Sequence, residues 1–184
     1  MGGKLGVEPL NPKFKDFTSE IEGYNLKVSQ TKNLILNEMV KRKFSGTIII
    51  NKTPEEIFKF MSNPYNIPLW LKASSVKVLS DQNLGVGTKY AEIYSSGNKT
   101  YEIESEITEH VPCTKWSYKT SVKAFSLTVT YTLTPMDGGV KVEGIGEMDL
   151  GLMSFSLPAH TIIVPIVYGR LKNTLKNLKN VLES

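Results

Sequence analysis

The sequence predicts an α+β domain in which a curved antiparallel sheet of about seven strands wraps around one long C-terminal helix. Three observations carry that prediction. From residue 75 to 149 apolar side chains recur with period two, in runs separated by tight turns. Leu171, Leu175, Leu178 and Leu182 then step by four, three and four, the stripe of an amphipathic helix. Ahead of both, the β-prone Thr47-Ile48-Ile49-Ile50 runs into Thr53-Pro54-Glu55-Glu56, the signature of a capped helix start.

Residues 1–43 read apart from the rest, as an N-terminal extension to a domain over 44–184. Gly2, Gly3, Gly6, Pro9, Pro12 and Gly23 interrupt any period over 1–28, which reads as a loosely structured arm. Residues 29–43 carry a short helix pattern. Ile35 and Met39 are four apart, as are Leu36 and Val40, and Lys41, Arg42 and Lys43 suit a helix C-terminus. This helix reads first as an element docked on the domain, or as sequence upstream of a domain starting at Met39. A peripheral contact with a protein or an anionic membrane surface is the alternative.

The first strand is expected over 44–51. In the helix that follows, Thr53 caps, Pro54 takes the first position and Glu56 completes a capping box. Ile57, Phe58 and Met61 give this helix its apolar side, and Asn63-Pro64 ends it. A connector carries Tyr65, Pro68, Leu69 and Trp70. Strand runs then fall at 75–80, 88–95, 99–111, 115–120, 124–134 and 140–149, and their short turns imply an antiparallel meander. Phe125, Leu127, Val129, Tyr131 and Leu133 share one face against Ser126, Thr128, Thr130 and Thr132. Tyr101, Ile103, Ser105 and Ile107 likewise oppose Glu102, Glu104, Glu106 and Thr108. One face is wet and the other covered. The cover is the C-terminal helix, expected from about residue 160 to 182 and started or kinked at Pro165. Gly144 and Gly146, inside the last strand, allow close helix approach or a bulge.

Composition bounds the function. The chain has 184 residues, 40% hydrophobic and 22% charged, with net charge +4. That is enough for one domain with a sizeable core, and too apolar for disorder throughout. Residues 1–43 hold eight Lys/Arg against five Asp/Glu, and 44–184 hold fourteen against thirteen. The domain body is therefore nearly neutral and lacks the basic stripe of a nucleic-acid binder. The longest apolar stretch, 162–168, is interrupted by Pro165, whereas a membrane-spanning helix needs about 20 residues. The opening Met-Gly-Gly-Lys-Leu-Gly has neither a signal-peptide core nor a myristoylation motif. A single cysteine, Cys113, excludes an intramolecular disulfide, and with two histidines it leaves little for zinc. The expectation is a cytoplasmic protein with no metal and no cofactor.

Ile48-Ile49-Ile50-Asn51-Lys52-Thr53-Pro54-Glu55-Glu56-Ile57-Phe58 resembles the opening strand and helix of the START-like superfamily. Pro68-Leu69-Trp70, Gly85-Val86-Gly87-Thr88, Ile107-Thr108-Glu109-His110-Val111-Pro112, Pro135-Met136-Asp137-Gly138-Gly139 and the closing 171–179 follow in matching order. The pattern is most similar to the polyketide cyclase/dehydratase and lipid-transport group, the SRPBCC proteins, over roughly residues 44–184. The resemblance implies a helix-grip fold with a deep, mostly apolar cavity. It fixes no reaction, because this fold hosts many functions.

The residues themselves offer little covalent chemistry. Cys113 has no activating neighbour in sequence and reads as an inert thiol. His110 reads as a solvated turn residue. His160, at the start of the covering helix, reads as a capping histidine or as a hydrogen-bond donor at a cavity mouth. Glu102, Glu104 and Glu106 form a ladder on the outer face. Glu92 shares a face with Tyr90 and Tyr94 on a run whose register is open; pointed inward, it gains a raised pKa through burial. Gly85-Val86-Gly87 lacks the third glycine and following helix of a dinucleotide site. The aromatics fall on the covered face without interleaved lysines, which disfavours nucleic acid.

The covered face is therefore the candidate site. By parity it takes Tyr101, Ile103, Ser105, Trp116, Tyr118, Phe125, Leu127, Val129, Tyr131 and Met148. Trp70, Met153, Phe155, His160 and Tyr168 join from the connectors and the helix. The leading expectation is a non-catalytic binder or carrier of a small hydrophobic molecule such as a lipid, isoprenoid, quinone or polyketide-like compound. The alternatives are a cyclase or dehydratase using Tyr118, Tyr131, Ser105, Glu92 or His160 as acid–base groups, and an interaction module acting through residues 29–43.

Overall fold

Thr53 opens the first helix as its neighbours dictate. Its hydroxyl accepts from the Glu56 backbone N–H at 3.2 Å, and the Glu56 carboxylate accepts from the Thr53 N–H at 2.9 Å. The computed structural model describes residues 41–80, 84–96, 98–122, 125–151 and 164–184. Its elements run β1 (Lys41–Ile50), α1 (Pro54–Met61), a 3₁₀ turn (Pro64–Asn66), α2 (Ile67–Leu71) and β2 (Ser75–Val78). They continue through β3 (Lys89–Ser96), β4 (Lys99–Val111), β5 (Lys115–Val122), β6 (Phe125–Met136), β7 (Gly139–Asp149) and α3 (Val164–Glu183).

The seven strands form one antiparallel sheet in the order β1-β7-β6-β5-β4-β3-β2. The meander from β2 to β7 follows the chain, and only β1 returns, to pair with β7. Among the described residues one irregularity interrupts the ladders, a register shift between Ile107 and Glu109 where β4 faces β5. It turns His110 to the inner face, opposite Trp116, where its ring meets Phe58 edge-on at 4.9 Å. His110 is thus packed against α1 and is not the solvated turn residue its sequence position implies.

β1 begins at Lys41, three residues before the expected strand start, so Lys41, Arg42 and Lys43 end no helix. They pair with Asp149, Met148 and Glu147 across the ladder, and Lys43 reaches Glu147 at 3.1 Å. Strand pairing with acidic partners outweighs the local helix signal. The arm over 1–28 and the rest of the expected short helix lie outside the described residues.

α3 covers the sheet with the leucine stripe. Leu171, Leu175 and Leu178 are buried, and Leu182 is partly buried. Full burial stabilises by roughly 1.5–3 kcal/mol per side chain. Pro165 lies in the first turn, where its missing N–H is tolerated. Missing side chains on the sheet let the helix approach. A Cβ on Gly46 would meet Leu175 Cδ1 at 3.0 Å, and one on Gly144 would meet Leu171 Cδ1 at 3.2 Å. At Gly146 the space is taken by the Phe44 ring, 2.2 Å from such a Cβ, and both flanking ladders run through without a bulge. The helix end is tied to β1: Lys179 donates to the Ile49 carbonyl at 2.7 Å, and Glu183 accepts from the Asn51 N–H at 2.7 Å.

Candidate functional site

Strand alternation points Glu92, Ile103, Tyr118, Val129 and Tyr131 to one face, and α3 sets Val167, Arg170, Leu171 and Thr174 above them. Between the two lies a cavity of about 100 Å³. Phe44, Leu71, Ile103, Val122, Phe125, Leu127, Val129, Val167 and Leu171 make its wall mostly apolar. The polar members are Glu92, Tyr118, Thr120, Tyr131, Arg170 and Thr174.

The charged members form one corner. The Glu92 carboxylate is buried, with Arg170 Nη2 at 3.5 Å from the other side of the space. Tyr94 joins them: its hydroxyl donates to Glu92 and accepts from Arg170, and the guanidinium carbon lies 4.4 Å above its ring. Burial pushes the Glu92 carboxyl up to about 7, against the opposing pull of Arg170 and Ser105. Burial also drives the Tyr118 and Tyr131 hydroxyls above the ordinary phenol range, and the Glu92 charge adds to both shifts. These phenols are neutral donors at physiological pH, while Glu92 is poised to exchange a proton there.

Behind this wall stands an aromatic cluster. Trp116 stacks on Tyr131 with ring centres 5.9 Å apart, and Trp70 meets Tyr131 edge-on at 5.6 Å. Trp70 Nε1, Trp116 Nε1 and the Tyr90 hydroxyl have no hydrogen-bond partner among the described residues.

The structure brings together Ile103, Tyr118, Phe125, Leu127, Val129 and Tyr131 from the expected set. Trp70, Trp116 and Met148 are fully buried in the adjoining core and are absent from the cavity wall. Ser105 is buried against Thr120, oxygen to oxygen at 2.7 Å. Tyr101 is 51% exposed and does not join them. It pairs with Tyr94 towards the hairpin end of β4, and parity decides which face a residue takes, not whether that face is covered there. Tyr168 is 46% exposed and touches Phe44 edge-on at 6.3 Å. Three before Leu171, it continues the leucine stripe by spacing, but it lies near the start of α3, where it stays half exposed. Met153, Phe155 and His160 lie outside the described residues.

Sequence reasoning missed Arg170, Thr174, Thr120, Phe44, Leu71, Val122 and Val167. Arg170 carried a signal: it directly precedes the buried Leu171 and lies three after Val167, so its stem borders the apolar stripe. Among the described residues no cluster of three or more His, Cys, Asp or Glu is arranged to hold a metal ion. No described helix is long and apolar enough to cross a membrane.

A sheet closed over one long helix, with a small apolar cavity between them, defines the helix-grip class. Residues 41–183 match the family described as polyketide cyclase / dehydrase and lipid transport, and the chain belongs to that family. No curated protein matches the sequence. Among solved structures, the chain is similar to the di-domain ARO/CYC StfQ from the steffimycin biosynthetic pathway, with TM-score 0.69 and 11% identity over 97% of this chain and 62% of that one. The di-domain ARO/CYC BexL from the BE-7585A biosynthetic pathway gives TM-score 0.67 and 14% identity over 94% and 60%. Ara h 8.0201 gives 0.61 and 17% over 77% and 97%. The chain thus spans less than two thirds of either di-domain protein, and at these identities the likeness is one of fold.

Proposed function

We propose that the chain binds a small, largely apolar molecule between the sheet and α3. The observation that carries this reading is the cavity itself, with an apolar wall and its charge confined to the Glu92–Arg170 corner. Desolvation of the ligand drives binding, at about 25 cal/mol per Å² of apolar area before the costs of association. A cavity of about 100 Å³ is smaller than the roughly 300 Å³ at which drug-sized sites begin, so a larger ligand must widen it. Access would require movement of the connector over 63–71 or of the segment 151–158, most of which lies outside the described residues. Leu71 borders the cavity, and the next residue, Lys72, holds the chain in a left-handed conformation at φ 60°. Native mass spectrometry of the protein purified from its source cells tests the reading. A stoichiometric hydrophobic mass, recovered by lipid extraction, is expected; a bare protein mass contradicts it.

A second reading, a cyclase or dehydratase acting on a polyketide-like compound, is favoured by one observation. Glu92 titrates near neutrality on the same wall as the Tyr118 and Tyr131 hydroxyls. Turnover of a polyketide-like substrate, abolished in Glu92→Gln, is the result that reading requires.

A further inference from the structure

We infer that the ligand ends in a carboxylate and that Arg170 receives it where the cavity meets the outer surface. The inference rests on the apolar-ligand reading and adds the chemistry of the ligand's polar end. Arg170 borders two spaces. Inside is the apolar cavity; outside is a shallow groove of about 490 Å³, which Lys72, Tyr94 and Asn173 also line. Leu71 and Thr174 border both as well, so the two spaces meet along these three residues. A molecule with its apolar body in the cavity would leave its polar end at this seam.

The guanidinium is held for such a contact. Its side chain is 42% exposed, and the Tyr94 ring supports it at 4.4 Å. Both polar contacts, to the Tyr94 hydroxyl and to Glu92, use Nη2. Among the described residues no hydrogen bond engages Nη1 or Nε. Each two-bond fork of a guanidinium pairs Nη2 with Nη1 or with Nε, so a carboxylate that displaces Glu92 from Nη2 gains two parallel hydrogen bonds, which an alcohol cannot reproduce.

Glu92 is the one other charged group on the cavity wall among the described residues, and its negative charge opposes a second anion. It has a way to yield. The titratable and charged groups facing it are Tyr90 and Tyr94 on its own strand, Tyr118 and Tyr131 from β5 and β6, and Arg170 from α3. Arg170 is the one cation among them, and Glu92 gives up its charge near pH 7. An arriving carboxylate therefore takes over the pairing with Arg170 while Glu92 takes up a proton from solvent and stays neutral beside it. Lys72 at the groove adds a second positive group outside.

The test compares decanoate with decan-1-ol, which share an apolar body, by NMR titration of the full chain at pH 7. Decanoate is expected to bind at least about tenfold more tightly. Arg170→Gln is expected to bring the ratio near unity, and Arg170→Lys to fall between. Equal affinities in the unaltered protein overturn the carboxylate inference and leave the apolar-ligand reading standing. Failure of both compounds to bind overturns the two together. A preference that survives in Arg170→Gln overturns the assignment to this residue. The comparison within the unaltered protein holds even where a variant folds poorly.

Discussion

Glu92 on β3 and Arg170 on α3 meet at 3.5 Å across the cavity, and the Tyr94 hydroxyl bridges them. This corner ties the covering helix to the far half of the sheet at a place where everything around it is apolar or neutral. Removing a carboxylate from water there costs more than one cation returns, so the Glu92 carboxyl stands above its ordinary value.

That shift makes stability depend on pH. Below the ordinary value of 4.5 Glu92 is protonated in folded and unfolded chains alike, and its burial carries no ionisation cost. Between 4.5 and about 7 the folded state holds a proton that the unfolded state has released, so stability falls as pH rises. Above about 7 the cost is complete, roughly 3 kcal/mol. Glu92→Gln is expected to lose this contribution. Denaturant unfolding at pH 5 and pH 8 should show the unaltered protein losing about 2 kcal/mol more than the variant over that interval. Parallel pH profiles for the two proteins would show that Glu92 titrates as it does in water.

The Tyr90 hydroxyl is fully buried without a hydrogen-bond partner among the described residues, although it lies near Ser105. Tyr90→Phe is expected to raise stability by about 1 kcal/mol, since it removes a desolvated group that gains nothing in return. Thermal and urea unfolding measure this. A loss of similar size would reveal an internal water bonded to the hydroxyl.

The β6–β7 turn separates two glycines by their surroundings. Gly138 has φ +84° with open space about its missing Cβ, whereas at Gly139, with φ +138°, a Cβ would stand 2.3 Å from the Ile50 carbonyl oxygen. Gly138→Ala is expected to cost about 1 kcal/mol, and Gly139→Ala at least 2 kcal/mol more, through backbone strain plus displacement of β1. Equal costs would mean that β1 does not press on this turn.

These residues also mark what could be read in advance. The capping box at Thr53, the leucine stripe of α3 and the alternation in β6 were legible because each states its burial through side-chain chemistry at a fixed period. Glu92 was ambiguous because Tyr90 and Tyr94, its partners by parity, suit either a wet or a covered face. Tyr101 had the right parity, but its exposure depends on how far the cover extends along the hairpin. Arg170 was hidden by its chemistry: an arginine beside an apolar stripe reads as a solvated flank until a buried carboxylate appears opposite it. Its pairing with Glu92, 78 positions away in the chain, is a product of the tertiary fold alone.

The central claim is that a small apolar molecule lodges between the sheet and α3. Methyl NMR spectra recorded while decanoate is added test it most directly. The account predicts saturable shifts at Ile103, Val122, Leu127, Val129, Val167 and Leu171, which line the cavity, with Val140 and Leu178 in the distant core unmoved. Shifts confined to exposed methyls such as Val86 and Val111, or no saturable shift at all, would contradict it.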